Sequence, residues 1–190
     1  MEKSLYDFLT RPSVEVAPQL LGCILEREID GELVRVKIVE TEAYDQTDAA
    51  SHSYKGPTQR TEIMFGEPGH LYVYFTYGMH YCCNVVTDKE GIGSAVLIRA
   101  VEPIEGVELM EEFRGRTGYE LTNGPAKLCQ ALAINKRFNG HNLSKLPIKL
   151  VLQKPIDSKF ITQTTRIGIS QAKDAPWRFY LTGNPYVSKQ

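Results

Sequence analysis

The chain has 190 residues, 42 % hydrophobic and 24 % charged, with 15 glycines and 10 prolines spread along it. That composition fits a folded protein of one domain, residues 1–190, and excludes disordered, collagenous and coiled-coil chains. The net charge is −1, but residues 1–120 carry 11 Lys/Arg against 21 Asp/Glu and residues 121–190 carry 11 against 2. The overall balance argues weakly against a nucleic-acid binder, whereas the basic C-terminal third suits either a phosphate-facing surface or a solvated outer face.

Met1 to Asp7 holds acid where an export signal needs a basic end followed by an apolar run. The longest apolar stretches, such as Ala95-Val96-Leu97-Ile98, fall far short of the roughly 20 residues that cross a bilayer. The expectation is a cytoplasmic protein without a membrane partner. Cys23, Cys82, Cys83 and Cys129 form no Cys-x-x-Cys pair and read as reduced, buried small hydrophobes. His80-Tyr81-Cys82 has the look of half a metal site, but His52, His70 and His141 show no ligand spacing with it, so no metal and no cofactor is expected.

In chain order, Ala17 to Gly22 reads as a short helix with Pro18 in its first turn and Gly22 ending it. Leu33 to Thr41 alternates β-branched and polar residues as a strand that runs into Glu42-Ala43-Tyr44. Pro68-Gly69 turns the chain into a second strand from Leu71 to Tyr77, punctuated by Gly78. Cys82 to Thr87 and Ala95 to Val101 are two more strands joined by a hairpin loop across Asp88-Lys89-Glu90-Gly91. Pro103 opens a predicted helix through Phe113, with Ile104, Val107 and Met110 on one face. Asn123-Gly124-Pro125 opens another, with Leu128, Ala131 and Leu132 buried. Ile148 to Leu152, Arg166 to Ile169 and Arg178 to Thr182 complete the strand set, and the class is α+β with a mainly antiparallel sheet.

Two features carry chemical interest. Glu42 lies just past the end of an apolar strand, where a carboxylate is held rigidly at a pocket, although Glu40 and Glu42 equally suit the solvent-facing end of an edge strand. Tyr44, Tyr72, Tyr74, Tyr77 and Tyr81 cluster in two short segments around His52. Aromatic planes with polar tips suit the sandwiching of a nucleobase, and they equally suit a half-buried antiparallel sheet.

Longer motifs decide between these readings. Val39-Glu40-Thr41-Glu42-Ala43-Tyr44, Ala50-Ser51-His52, Met64-Phe65, Pro68-Gly69, Tyr72-Val73-Tyr74, Tyr77-Gly78-Met79-His80, Cys82-Cys83-Asn84 and Leu97-Ile98-Arg99-Ala100 resemble the successive motifs of the alkyladenine (3-methyladenine) DNA glycosylase family, in its short bacterial form. Gly124 to Lys136 and Arg178-Phe179-Tyr180 continue the resemblance over nearly the whole chain, while 114–121 and 140–165 match poorly.

The resemblance implies a curved sheet flanked by helices with a protruding β-hairpin, acting as a monomer on double-stranded DNA that contains damaged purines. It implies base flipping, with Tyr77 filling the vacated space in the minor groove. Tyr44 would lie on one face of the flipped base, with Tyr74 and His52 on the other face and edge. Asn84 would crowd the exocyclic amino group of normal guanine. Glu42 would deprotonate a water aimed at the anomeric carbon, and Arg99 would orient it, a structural ion pair with Glu42 being the plainer reading of Arg99. His52 or an ordered water would assist departure of a neutral base such as hypoxanthine. Thr58, Arg60, Met79, Lys127 and Lys136 are the candidates for contacts to the duplex, although each also suits ordinary surface. A zinc nucleobase deaminase is excluded by the missing His-x-Glu and Pro-Cys-x-x-Cys. A free-nucleoside hydrolase would have no use for Tyr77 or the basic third. A non-catalytic lesion-DNA or RNA binding module is the alternative from another class.

Overall fold

A computed structural model of the chain describes residues 4–76 and 78–188. In chain order its elements are α1 (Leu5–Leu9), α2 (Ser13–Gln19), β1 (Ile24–Ile29), β2 (Glu32–Tyr44), β3 (Leu71–Thr76), β4 (His80–Val86), β5 (Ala95–Glu105), α3 (Val107–Arg114), α4 (Pro125–Ala131), β6 (Ile148–Val151), β7 (Ile161–Thr164) and β8 (Arg178–Leu181). The strands form one curled, antiparallel sheet in the order β3-β4-β5-β2-β1-β6. β8 joins the edge of β2 at Glu40–Glu42, beyond where β1 has left it, and β7 pairs outside β8. The class is therefore α+β.

Period-two alternation sorts the sheet into two faces with different tasks. Val34, Val36 and Ala43 of β2, Leu71 and Val73 of β3, Cys83 and Val85 of β4, and Val96 and Ile98 of β5 all enter the main core. There they meet Val16 and Ala17 of α2, Met110 of α3 and Leu128, Cys129 and Ala131 of α4. The residues between them face the other way. Tyr72 pairs across to Asn84, Asn84 to Leu97, Leu97 to Glu42 and Glu42 to Arg178, which makes one continuous row over five strands. This second face carries polar and aromatic groups, with only a small apolar cluster of Met64, Tyr72, Val86 and Ala95 at its side.

The β2–β5 ladder is irregular at one place. Ile38 pairs with Val101 and Glu40 with Ala100, leaving Val39 extra on β2; Thr41 then pairs with Ile98, leaving Arg99 extra on β5. A bulge of this kind bends a strand and re-aims one side chain.

Several boundaries differ from the sequence reading, and each has a local cause. The first predicted helix begins at Ser13, so Pro18 sits inside it, and Gly22 follows with φ +84°. α1, capped by the Ser4 hydroxyl accepting from Asp7 N, and β1 both escape the sequence reading. Pro103 does not start a helix, because β5 continues through Glu105 and α3 begins only after Gly106 at φ +74°. Ile104 is accordingly exposed rather than on a helical face. Arg166 to Ile169 is not a strand; the pairing partner of β8 is Ile161–Thr164, and residues 166–171 form a loop. All four cysteines are buried and free. Among the described residues no helix is long and apolar enough to cross a membrane, and no group of three His, Cys, Asp or Glu is placed to hold a metal ion.

Candidate active site

Glu42 lies inside β2, not just past a strand end as its sequence suggests, and Arg99 lies inside β5. Ladder bonds on both edges of β2 fix Glu42, between Leu97 of β5 and Arg178 of β8. Its carboxylate is wholly buried, accepts two hydrogen bonds and pairs with one cation. The Ile167 amide donates to Oε1 at 2.8 Å, the Tyr44 hydroxyl to Oε2 at 2.9 Å, and Arg99 Nη1 stands 3.3 Å from Oε2. A carboxylate has about four acceptor positions, so these contacts leave room for a further donor. Burial works against the charge on Arg99, but Glu42 and Glu40 more than offset it, and the guanidinium is held firmly as a cation. Tyr44 is pushed well above the usual phenol range by burial and by the Glu42 charge, so it stays a donor.

In front of this cluster lies a cavity of about 500 Å³, within the range of small-molecule sites. Tyr44, Arg99 and Ile167 form part of its wall, so Glu42 stands one layer behind the surface. Tyr72, Tyr74, His52, Asn84 and Arg60 line it as well. His52 meets Tyr74 edge-on at 4.6 Å, and its Nδ1 is hydrogen-bonded to the Tyr72 hydroxyl at 3.0 Å. Arg60 stands over the Tyr74 ring at 5.5 Å. Asn84 Nδ2 donates to the Tyr72 carbonyl at 3.0 Å, which fixes the side chain in place. Burial of Tyr74 pushes its hydroxyl far up, and burial of Cys82 takes its thiol to about 11, so both wall groups are neutral near pH 7.

His52 keeps an exposed edge, yet packing against the tyrosines and, secondarily, the nearby Arg60 charge lower it to about 4. At neutral pH the ring is uncharged.

Two loops complete the cavity. Residues 45–60 bring His52 and Arg60, and this loop is pinned at Gly93: the Ser53 hydroxyl donates to its carbonyl at 2.7 Å and its amide donates to Gln46 Oε1 at 3.0 Å. A Cβ at Gly93 would lie 2.5 Å from Ser53 Cβ and 2.6 Å from Phe65 Cζ, so this approach requires glycine. The second loop, 167–171, supplies a wall whose anchor is Arg166. Its buried guanidinium pairs with both oxygens of Asp48, donates to the Ala43 carbonyl at 2.9 Å, and lies against the rings of Tyr44 at 4.7 Å and Trp177 at 5.1 Å.

Of the residues singled out from sequence, Glu42, Arg99, Tyr44, Tyr74, His52, Asn84 and Arg60 come together here. Thr58 sits on the same exposed loop, its hydroxyl bonded to Thr61, and Met79 is 70 % exposed beside the β3–β4 turn. Tyr77 lies outside the described residues. Lys127 of α4 is held by Glu120 at 2.6 Å and Asn123 at 2.7 Å, and Lys136 is exposed. Ile167, Arg166 and Asp48 are missed by sequence reasoning, because a backbone amide leaves no compositional trace and the ion pair spans 118 residues.

Comparison with known proteins shows the family. The family described as "Methylpurine-DNA glycosylase (MPG)" matches residues 7–185. A protein of Carboxydothermus hydrogenoformans is 53 % identical over 96 % of this chain and 97 % of its own length. Relatives from Desulfitobacterium hafniense, at 50 % identity over 96 % of both chains, and Francisella tularensis, at 48 % over 98 % and 99 %, are equally complete matches. All three carry the name "Putative 3-methyladenine DNA glycosylase". The chain belongs to the methylpurine-DNA glycosylase family.

Proposed function

We propose that this protein is a monofunctional DNA glycosylase of base excision repair. It takes alkylated or deaminated purines, the class of 3-methyladenine, 7-methylguanine, hypoxanthine and ethenoadenine, out of duplex DNA and hydrolyses their N-glycosidic bond. The observation that carries this reading is a buried carboxylate held by two hydrogen bonds and an arginine directly behind a cavity walled with tyrosines. A glycosidic bond inside the stack is out of reach, so the nucleotide is flipped and its base enters the cavity. Tyr44 stacks on one face, with Tyr74 and His52 on the other face and edge. The fixed Asn84 amide screens the exocyclic group that distinguishes normal guanine. Tyr77 wedges into the gap, and Thr58, Arg60, Met79, Lys127 and Lys136 hold the surrounding duplex, Lys127 after exchanging Glu120 for phosphate.

A water admitted beside Arg99 and Ile167 reaches a remaining acceptor position of Glu42, which takes its proton as the oxygen bonds to C1′ and the base leaves with the glycosidic electron pair. Glu42 also supports the positive charge that develops on the sugar. 3-Methyladenine and 7-methylguanine are already cationic in the nucleotide and depart neutral, which needs little acid, whereas ethenoadenine and hypoxanthine are neutral and need a proton. For hypoxanthine, with His52 uncharged, the proton comes from water. This single-carboxylate scheme differs from the paired carboxylates of sugar hydrolases.

The test is product analysis on duplexes with one hypoxanthine or one 7-methylguanine. Free base together with an intact strand that breaks only on alkali treatment supports a monofunctional glycosylase. Lesion-dependent binding without base release identifies a binding module instead.

A further inference from the structure

We propose that Glu40, a residue outside the cavity wall, is a positioning residue for the reaction: it holds Arg99 from behind so that one guanidinium nitrogen only meets Glu42. The inference rests on the reading of Glu42 as the base. Arg99 is the extra residue of the β5 bulge and is thereby directed between two carboxylates of the same β2 face, Glu40 and Glu42. Its Nε donates to Glu40 Oε1 at 3.1 Å, and its Nη1 stands 3.3 Å from Glu42.

Glu40 is wholly buried and is itself fixed by an unusual set of donors. Arg178 Nε reaches Oε1 at 2.7 Å, the Ser188 amide reaches Oε2 at 2.7 Å, and the Ser188 hydroxyl reaches Oε1 at 2.9 Å. Ser188 also accepts from Arg99 Nη2 at 3.4 Å. The segment that delivers Ser188 is tied down by Asn184, whose amide donates to Glu102 at 2.8 Å and whose oxygen accepts from Tyr186 N at 2.9 Å. Two anions, Glu40 and Glu42, thus meet two cations, Arg99 and Arg178, and the Tyr180 ring stacks on Arg178. Tyr44 and Cys82 are the neutral groups that face the cluster from the cavity side.

The chemistry gives this arrangement a purpose. An arginine beside a carboxylate prefers a two-pronged grip that occupies both oxygens. Such a grip on Glu42 would consume the acceptor position that the water needs. Because Glu40 takes Nε and Ser188 takes Nη2, only Nη1 is offered, and the grip cannot form. Glu40 touches no reacting atom in this scheme and acts through Arg99.

The experiment measures single-turnover base release from 7-methylguanine duplex at saturating protein, with DNA affinity measured in parallel, for native protein and for Glu40→Gln, Ser188→Ala, Arg99→Lys and the Arg99→Lys/Glu40→Gln double variant. Misplacement of a reacting group on the ångström scale costs about 100-fold in rate. Glu40→Gln should slow release about 100-fold with affinity changed less than about twofold, and Ser188→Ala should slow it about 3- to 10-fold. In the Arg99→Lys background, where no fork remains to be oriented, Glu40→Gln should cost less than about threefold more. Ser188→Ala removes no charge and reads the same contact if Glu40→Gln fails to fold. Native rates in both single variants, or losses that simply multiply in the double, overturn the assignment. Base release by native protein that is abolished by Glu42→Gln keeps the glycosylase reading intact in that event. No release by native protein overturns the reading and this assignment together.

Discussion

The two halves of the site are built by different means. The half that holds Glu42, Arg99 and Glu40 sits on β2, β5 and β8, where each backbone position is fixed by ladder bonds and the side chains lock one another through short ion pairs. The half that holds His52, Arg60 and the 167–171 wall is loop, and it keeps its shape through two anchors, the Arg166–Asp48 pair and the Gly93 contact. Glu42 and Arg99 are thus on the rigid half, together with Tyr74 of β3 and Asn84 of β4, while the loops add His52, Arg60 and the Ile167 amide. On the proposed reaction, the His52 loop would be the part that can change with least disturbance to Glu42 and Arg99.

The largest effect is expected at the loop anchor. Arg166→Ala leaves Asp48 buried without its partner, a change that costs about 3–5 kcal/mol in comparable pairs. A thermal melt should show Tm lower by roughly 6–20 °C for a chain of this size. A Tm within a degree or two of native would show that the pair is not an anchor.

Tyr44 belongs to both halves, since its ring lines the cavity and its hydroxyl serves Glu42. Tyr44→Phe keeps the stacking plane and removes one hydrogen bond to a charged group, about 1.5–3 kcal/mol. Base release should slow by roughly 10- to 100-fold while lesion affinity is retained. Equal loss in affinity and rate would place the hydroxyl's role in binding instead.

Gly93→Ala forces a Cβ against Ser53 and Phe65, an overpacking of about 1–3 kcal/mol. Because it displaces the loop that carries His52 and leaves the sheet untouched, it should weaken discrimination between lesions more than it lowers the rate on the best one. A uniform fall over all lesions would contradict the division of labour.

The smallest effect concerns acid. His52 falls from an ordinary 6.5 to about 4 in the folded protein, so between those values the unfolded chain binds the extra proton. Stability from this group is complete above about pH 6.5, is lost as pH falls towards 4, and changes no further below that. His52→Gln should therefore flatten part of the Tm fall between pH 6.5 and 4. An unchanged slope would show that the ring titrates at its ordinary value.

How legible these halves were in the sequence follows from the same division. The alternation from Leu33 to Thr41 and the runs at 71–76, 82–86 and 95–101 identify the central strands, because sheet periodicity is a local property. What alternation does not reveal is where a long strand ends. Pro103 looks like a helix start, yet it sits near an edge-like end of β5 where Gly106 makes the turn. The bulge at Arg99 is invisible for the same reason, since it depends on the register of two strands nearly 60 residues apart. Glu42 and the tyrosine cluster stand out by placement alone, but their roles, and Arg99 itself, come from the resemblance of their motifs. Arg166 to Ile169 reads as a strand in the sequence, whereas Arg166 is paired with Asp48, 118 residues away, and the segment after it is a loop in the cavity wall. The donor that Ile167 lends to Glu42 is a backbone group and carries no sequence signal at all.

The account stands most directly on Glu42. The decisive measurement compares native protein with Glu42→Gln for base release from hypoxanthine and 7-methylguanine duplexes, at equal DNA occupancy and in single turnover. The amide keeps the size and the position in the sheet but cannot take a proton, and general-base catalysis is worth about 10²–10⁴-fold. The account predicts a variant that binds lesion DNA like the native protein and releases base at least about 100-fold more slowly. Release at the native rate would contradict it, and would leave Glu42 as a buried structural anion between Arg99, Tyr44 and Ile167.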